Sequence, residues 1–262
     1  VKRRSITAVA LTVAGSDSGG GAGIQADLKT FHAHGVFGTC AITCITAQNP
    51  ARVSAVQPLH PRLVAEQMDR VFEAFPIGAG KTGMLYDTVI IESVADRFAR
   101  RKFAKLVVDP VMVASSGAVL LKKDAVTALT TELFPLAAVV TPNLAEAEVL
   151  TQRTIRTLDG LRSAARRLAE KYGVPFLVKG GHLPGANRAV DVLFDGTRFH
   201  EYRATMVPKI KTHGTGCTFS AAIAANLALG HGLTASIDRA KRFVTTAIQN
   251  ALNVGKYRAL RI

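Results

Sequence analysis

Apolar residues along the chain come in short runs, and amphipathic stretches lie between them. Ile6–Ala14 is apolar without alternation and predicts a strand buried on both faces. Ile24, Leu28 and Phe31 then recur at helical spacing, with Gly35 as the stop. The same alternation continues with strands at Thr39–Thr46, Ala79–Gly83, Leu106–Asp109, Ala138–Val140 and Phe176–Val178. Helices are predicted at Leu63–Phe75, Val89–Phe103, Ala125–Phe134 and Leu161–Tyr172. Val190–Phe194 and Thr197–Tyr202 read as a hairpin around Asp195-Gly196. Two Ala-rich helices, Thr218–Leu229 and Ile237–Ala251, close the pattern. Strand–helix repetition of this kind predicts an α/β fold with a mainly parallel central sheet flanked by helices. No repeat or linker interrupts it, so residues 1–262 are read as a single domain.

Composition changes this picture little. At 48% hydrophobic residues the chain predicts a packed globule, and with 6% aromatics and no Trp its core must be aliphatic. Apolar runs such as Ala221–Leu229 fall far short of the roughly 20 residues a bilayer needs. The basic start, Val1-Lys-Arg-Arg, leads into Gly15-Ser-Asp-Ser rather than a cleavage site, so a cytoplasmic setting without a membrane partner is expected. The three cysteines, Cys40, Cys44 and Cys217, form no disulfide framework and no zinc spacing. Cys40 and Cys44, four apart on a strand, are expected on one side as buried inert thiols.

A formal charge of +14 raises the question of nucleic acid. The cations are spread over Arg97–Lys105, Arg162–Lys171, Arg203–Lys211, Arg239–Arg242 and Lys256–Arg261, mostly on helices, with no aromatic platform among them. That distribution predicts solvated faces and attraction of anionic small molecules, not specific nucleic-acid binding.

Five segments can carry chemistry. Gly15-Ser-Asp-Ser-Gly-Gly-Gly-Ala-Gly23 lies between a strand and a helix, where a backbone without side chains approaches a ligand closely. Gly21-Ala-Gly-Ile-Gln-Ala26 fits a dinucleotide fingerprint, but Thr46-Ala-Gln-Asn49 stands where an acidic ribose ligand is needed, and no Gly-Lys-Ser/Thr follows. Thr212-His-Gly-Thr-Gly-Cys217 precedes an Ala-rich helix and can cradle a phosphoryl oxygen. Cys217 would sit in the first helical turn, which predicts partial thiolate near neutral pH. Asp109-Pro-Val-Met ends one strand, Pro142-Asn-Leu-Ala-Glu146 follows the next, and Val178-Lys-Gly-Gly-His182 ends a third. Asn143 and Glu146 share a helix face and also have capping-box spacing, so a cap alone accounts for them equally well. In a parallel sheet these strand ends gather along one carboxyl edge, where open α/β sheets bind ligands. Glycine cradles, Asn143 and Glu146 for a metal-bound phosphate, and Lys179 together point to phosphoryl transfer.

These segments, together with Thr46-Ala-Gln-Asn49, Lys81-Thr-Gly-Met-Leu85, Val108-Asp-Pro-Val-Met-Val113 and Lys179-Gly-Gly-His182, resemble the hydroxymethylpyrimidine/phosphomethylpyrimidine kinases of the ribokinase-like superfamily. The resemblance runs from about Ala8 to Leu252. It implies a homodimeric enzyme that uses ATP with Mg2+ to phosphorylate 4-amino-5-hydroxymethyl-2-methylpyrimidine and then its monophosphate, for thiamine biosynthesis. It implies that Gln48, Asp27, Met84, Val111 and Gly15 bind the pyrimidine. Gly214, Gly216 and Cys217 would form the catalytic anion hole, with Cys217 where most of the superfamily has an aspartate. Lys179, Asn143, Thr215 and Gly216 would meet the nucleotide, and Glu146, Asn143 and Asp109 the metal, partly through water. The tail Gly255-Lys-Tyr-Arg-Ala-Leu-Arg-Ile262 departs from the family's glycine-rich ending, and no fused thiamine-phosphate synthase domain is expected. A pyridoxal or pyridoxine kinase on the same fold is the nearest alternative. A regulatory or nucleic-acid-binding module that has lost catalysis is the distant one.

Overall fold

The computed structural model describes residues 7–112, 121–122, 124–181, 183, 188–207 and 213–262. Ile6, Val113, His182 and Thr212 of the motifs above lie outside them. The chain runs β1 (Val9–Asp17), α1 (Gly23–Ala33), β2 (Phe37–Asn49), β3 (Arg52–Pro58), α2 (Pro61–Ala74), β4 (Ile77–Thr82), α3 (Thr88–Arg100) and β5 (Leu106–Val108). It continues with α4 (Ala125–Ala128), which winds on through a π turn at Leu129–Leu133 and a 3-10 turn at Phe134–Leu136, and then β6 (Val139–Val140). Next come α5 (Leu144–Thr151), α6 (Leu158–Tyr172), β7 (Phe176–Gly180) and the hairpin β8 (Arg188–Phe194) and β9 (Phe199–Thr205). Helices α7 (Thr215–Ala228) and α8 (Leu233–Gln249) and a small hairpin of β10 (Leu252–Val254) and β11 (Tyr257–Ala259) end the chain.

Nine strands form one sheet in the order β3-β2-β1-β4-β5-β6-β7-β8-β9. The six central strands, from β2 through β7, are mutually parallel, and β3, β8 and β9 add antiparallel edges. One core lies between the sheet and α2 to α6, built on Leu11, Val13, Met68, Phe98, Phe134 and Phe176. The other lies under α1, α7 and α8, around Phe31, Val107, Leu177 and Ile223. Helix α7 is buried almost along its whole length, which suits its Ala-rich sequence: only small side chains let a helix lie this close to a sheet.

Helix limits follow local chemistry. Gly35 takes φ 69° just past α1, where the sequence predicted the stop. The Asp87 side chain accepts from the Ile90 amide at the start of α3, and Thr157 accepts from Gly160 at the start of α6. No described helix is long and apolar enough to cross a membrane.

Three strand features were not predicted, the final β10–β11 hairpin among them. β3 has an exposed, mixed pattern that gives no apolar signal. β2 carries a bulge: Ala14 pairs with Ile42, but Ser16 pairs with Ile45. Buried positions pass from Thr39, Ala41 and Thr43 to Cys44 and Thr46 across it. Cys40 and Cys44 therefore face opposite ways, contrary to simple alternation, because one extra residue inverts the phase of a strand. Cys44 is buried, whereas Cys40 is only half-buried.

Candidate active site

The two glycine-rich segments lock against each other. Gly214 takes φ 82°, and a Cβ there would lie 1.7 Å from the Gly21 carbonyl oxygen. No side chain fits at that contact, so the start of α7 can meet the β1–α1 loop only through a glycine. Gly23, at φ 58°, presses equally on Gly15: its Cβ would stand 2.4 Å from the Gly15 carbonyl oxygen. Asp17 fastens the loop. Its Oδ1 accepts from the Gly19 amide at 2.8 Å, and its Oδ2 accepts from the Ala22 amide at 2.8 Å and from His213 Nε2 at 2.9 Å. Burial works against the charge of Asp17, yet His213 and the two amides hold its carboxyl below the usual carboxylate range.

Around this cradle stand two buried cations. Lys179, at the end of β7, lies 3.0 Å from Asp109 Oδ1, and the Ser220 hydroxyl donates to Asp109 Oδ2 at 3.0 Å. A Cβ on Gly216 would be 3.5 Å from Lys179 Nζ and 3.8 Å from Asp109, so this pair lies directly under the first turn of α7. Burial opposes the charge on Lys179, and Asp109 and then Glu146 outweigh it and hold the proton on. Lys81, inside β4, is fully buried with Asp27: Nζ lies 2.9 and 2.8 Å from the two carboxylate oxygens, and Thr12 donates to Oδ2 at 2.6 Å. Burial works against the charge on Lys81, and the Asp27 carboxylate outweighs it and holds the proton on. Asp27 is thus closed off behind the site by two partners rather than presenting a free edge to a ligand.

Cys217 is half-buried. Burial pushes its thiol up to about 11; Lys81 pulls the other way, and Asp27 and Asp109 add to the rise. This overturns the expectation of a thiolate at neutral pH. A helix start favours negative charge by little, and here desolvation and two carboxylates outweigh it.

Asn143 and Glu146 form a complete capping box on α5. Asn143 Oδ1 accepts from the Glu146 amide at 3.0 Å, Glu146 Oε2 accepts from the Asn143 amide at 2.8 Å, and Glu146 Oε1 accepts from the Met112 amide at 3.1 Å. Glu146 is buried, which pushes its carboxyl up against the pull of Lys179. No group of three His, Cys, Asp or Glu side chains among the described residues could cage a metal. The donors that exist, the carboxylates of Asp109 and Glu146, suit an ion such as Mg2+ that arrives on phosphates and keeps several of its own waters.

At the outer end of the cradle lies a small apolar cluster. Cys44 and Met84 are buried there, with Val56, Tyr86 and Val111 packed against them. Gly15 forms its floor, since a Cβ there would lie 2.7 Å from Cys44 Sγ and 3.4 Å from Met84. Val111 takes φ 39°, a costly conformation for a β-branched residue, which holds it in place directly after Pro110. Gln48, half-buried at the end of β2, borders the site beside His213. The structure thus gathers Gly15, Met84, Val111 and Gln48 at one end and Lys179, Asp109, Asn143, Glu146, Thr215, Gly216 and Cys217 at the other. Sequence reasoning gave no role to Asp17, Lys81, Ser220 or His213. The available signals were a lysine inside an apolar strand at Lys81 and a histidine beside a glycine cradle at His213.

Comparison with known proteins follows this geometry. The family model described as phosphomethylpyrimidine kinase matches residues 17–260. The chain is 45% identical to the hydroxymethylpyrimidine/phosphomethylpyrimidine kinase of Bacillus subtilis strain 168, covering 94% of this chain and 91% of that one. It is 48% identical to a thiamine biosynthesis bifunctional protein of Geobacter sulfurreducens over 94% of its own residues, and there it spans only 50% of the relative's length. Among solved structures, an ADP complex of Bacillus subtilis pyridoxal kinase superposes with a TM-score of 0.90 at 37% identity, covering 97% of each chain.

Proposed function

Since the chain belongs to the phosphomethylpyrimidine kinase family of phosphotransferases, we propose that it transfers the γ-phosphoryl group of ATP to the hydroxymethyl group of 4-amino-5-hydroxymethyl-2-methylpyrimidine, and then to its monophosphate. The observation that carries this reading is the seating of the Lys179–Asp109 pair under the glycine start of α7. On this reading the pyrimidine ring would rest against the apolar cluster and the phosphates would meet the glycine cradle. The hydroxyl oxygen attacks the γ-phosphorus while the bond to the bridging oxygen breaks, ADP leaves with the electron pair, and the hydroxyl proton passes to an oxygen of the transferred phosphoryl group or to water. Amides at Gly214, Thr215 and Gly216 and the Lys179 ammonium face the charge on the moving phosphoryl group.

With its thiol at about 11, only roughly one Cys217 in 10⁴ is thiolate at pH 7. Cys217 therefore acts first by holding the hydroxyl in line. That suffices for a loose transition state, in which positioning and charge carry most of the rate. A magnesium ion bound with the nucleotide would neutralise phosphate charge, with Asp109 and Glu146 holding its waters and Asn143 beside them. The same reading includes a homodimer in the cytoplasm, which sedimentation of the purified protein and fractionation of cells would test.

A pyridoxal kinase has the fold of the solved relative behind it, but relatives named for the pyrimidine reach higher identity. The deciding experiment incubates purified protein with ATP and either the hydroxymethylpyrimidine or pyridoxal and follows the products by mass. The expected outcome is one and then two phosphoryl groups on the pyrimidine. A larger kcat/KM on pyridoxal would replace the reading, and no ATP turnover on either alcohol would remove it.

A further inference from the structure

We propose that His213 is a positioning residue that locks the amide of Gln48 in one orientation and so fixes which heterocycle the site accepts. His213 Nε2 lies 2.9 Å from Asp17 Oδ2 and 3.1 Å from the Gln48 amide nitrogen. Asp17 is held ionised by its amide partners and can only accept, so Nε2 carries its proton toward Asp17. A nitrogen of Gln48 in that place sets donor against donor.

The other end of the same amide has the mirror problem. Thr46 Oγ1 is 2.8 Å from the Ser16 carbonyl oxygen and 3.2 Å from Gln48 Oε1. A hydroxyl has one proton, and a carbonyl oxygen can only accept, so that proton goes to Ser16. Oxygen then faces oxygen at Gln48. A half-turn of the Gln48 amide resolves both conflicts together. Its oxygen then shares the single Nε2 proton with Asp17 Oδ2 in a three-centre bond, and its nitrogen donates to Thr46 Oγ1. Amide orientation is set by such bond logic, because the two ends have nearly the same shape.

The rest of the surroundings fix His213 itself. Its Cδ2 edge packs on Gly21, where a Cβ would come within 2.9 Å of the ring, and Gly214 follows it at φ 82° against the Gly21 carbonyl. Its Nδ1 is buried without a hydrogen-bond partner among the described residues. The chain Asp17–His213–Gln48–Thr46–Ser16 therefore links the phosphate cradle to the ring site, with His213 donating toward Asp17 and Gln48, and Gln48 donating on through Thr46 to the Ser16 carbonyl. It leaves Gln48 with a donor and an acceptor in fixed order. An aminopyrimidine needs that order, offering an amino donor beside a ring-nitrogen acceptor. A ring with a different edge, such as pyridoxal, does not match it. A freely turning amide would serve either.

The inference rests on the pyrimidine kinase reading, and kinetics on both alcohols separates the two. His213→Leu is expected to raise the KM for the hydroxymethylpyrimidine about 10-fold, the scale of one lost buried hydrogen bond, with the KM for ATP changed less than about 2-fold. Its kcat/KM on pyridoxal should fall much less, narrowing the preference. His213→Gln, which can again donate from a terminal nitrogen, should restore most of the loss. His213→Leu combined with Gln48→Leu should be no worse than Gln48→Leu alone. Additive losses in the double variant, or equal rises in both KM values without rescue by His213→Gln, would overturn the inference. A wild-type enzyme inert on the pyrimidine would instead remove the functional reading beneath it.

Discussion

At the scale of single residues, charge in this site is set by burial as much as by partners. Cys217 shows it: a cysteine at a helix start reads as activated, but the thiol stands at about 11. Iodoacetamide should label it slowly at pH 7.5 and faster as pH rises toward 10. Rapid labelling at neutral pH would mean that desolvation had been overcome. Cys217→Ala should lower kcat by up to about 10²-fold, the scale of a misplaced reacting group, with ATP affinity retained. Asp17 behaves in the opposite way. Its folded pKa is depressed, so its contribution to stability is present above the unfolded value near ~3.9 and is lost as pH falls through the folded one. Asp17→Asn should therefore lower stability by about 1–3 kcal/mol at pH 7, and the gap should shrink at pH 2–3. Urea midpoints at the two pH values measure it, and an unchanged gap would assign the loss to packing.

At the scale of elements, helix starts carry the chemistry. The first turn of α7 works because Gly214 can touch Gly21. Gly214→Ala places a methyl group on a carbonyl oxygen at positive φ, and the loop must retreat. Loss of more than about 10-fold in kcat/KM for both substrates is expected, since misplacing groups by an ångström costs up to ~10²-fold. The α5 start raises a different question, because Glu146 both closes the capping box and faces Lys179. Glu146→Gln removes the charge and one acceptor. It should cost about 1 kcal/mol as a weakened cap and also raise the magnesium needed for half-maximal rate several-fold. A stability loss with an unchanged magnesium requirement would leave Glu146 as a cap only. The central strands and main helices were legible because burial on both faces erases alternation, and amphipathic helices keep theirs. The edge strand β3 and the final hairpin were not: β3 shows a half-exposed pattern, and the β10 residues are all exposed. What forms them is hairpin pairing with the adjacent strand, Asn49 with Arg52 and Val254 with Tyr257, and cross-strand backbone bonds leave no apolar period in exposed residues.

At the scale of the whole molecule, the site hangs on a buried ion pair. Lys81 and Asp27 join β4 to α1 with no solvent at either end. Lys81→Met should cost about 3–5 kcal/mol, because it strands a carboxylate in the interior. Lys81→Met with Asp27→Leu should be less destabilised than Lys81→Met, and thermal melts of the variants decide. A double variant showing the sum of both losses would rule out the ion pair as the cause. The candidate site was legible as a list of segments, since each motif ends a strand of a parallel sheet. Its wiring was not. Nothing in the spacing of Asp17, Gln48 and His213 says that they meet, because their contact depends on how two glycine loops fold over one another.

The extra residue in β2 bears on how such a protein can be taken apart and recombined. It separates a half of the strand that belongs to the scaffold, up to Ile42, from a half that belongs to the ligand, from Cys44 to Gln48. A chimera that splices β2 from a relative must carry the bulge with the second half. Joined one residue short, the strand would still pair, yet Cys44, Thr46 and Gln48 would turn their side chains to the other side of the sheet. The product would be a folded protein with an inverted reading head. Recombination libraries with crossovers before Ile42 or after Asn49 should keep activity, and those with a length change between them should lose it while remaining soluble.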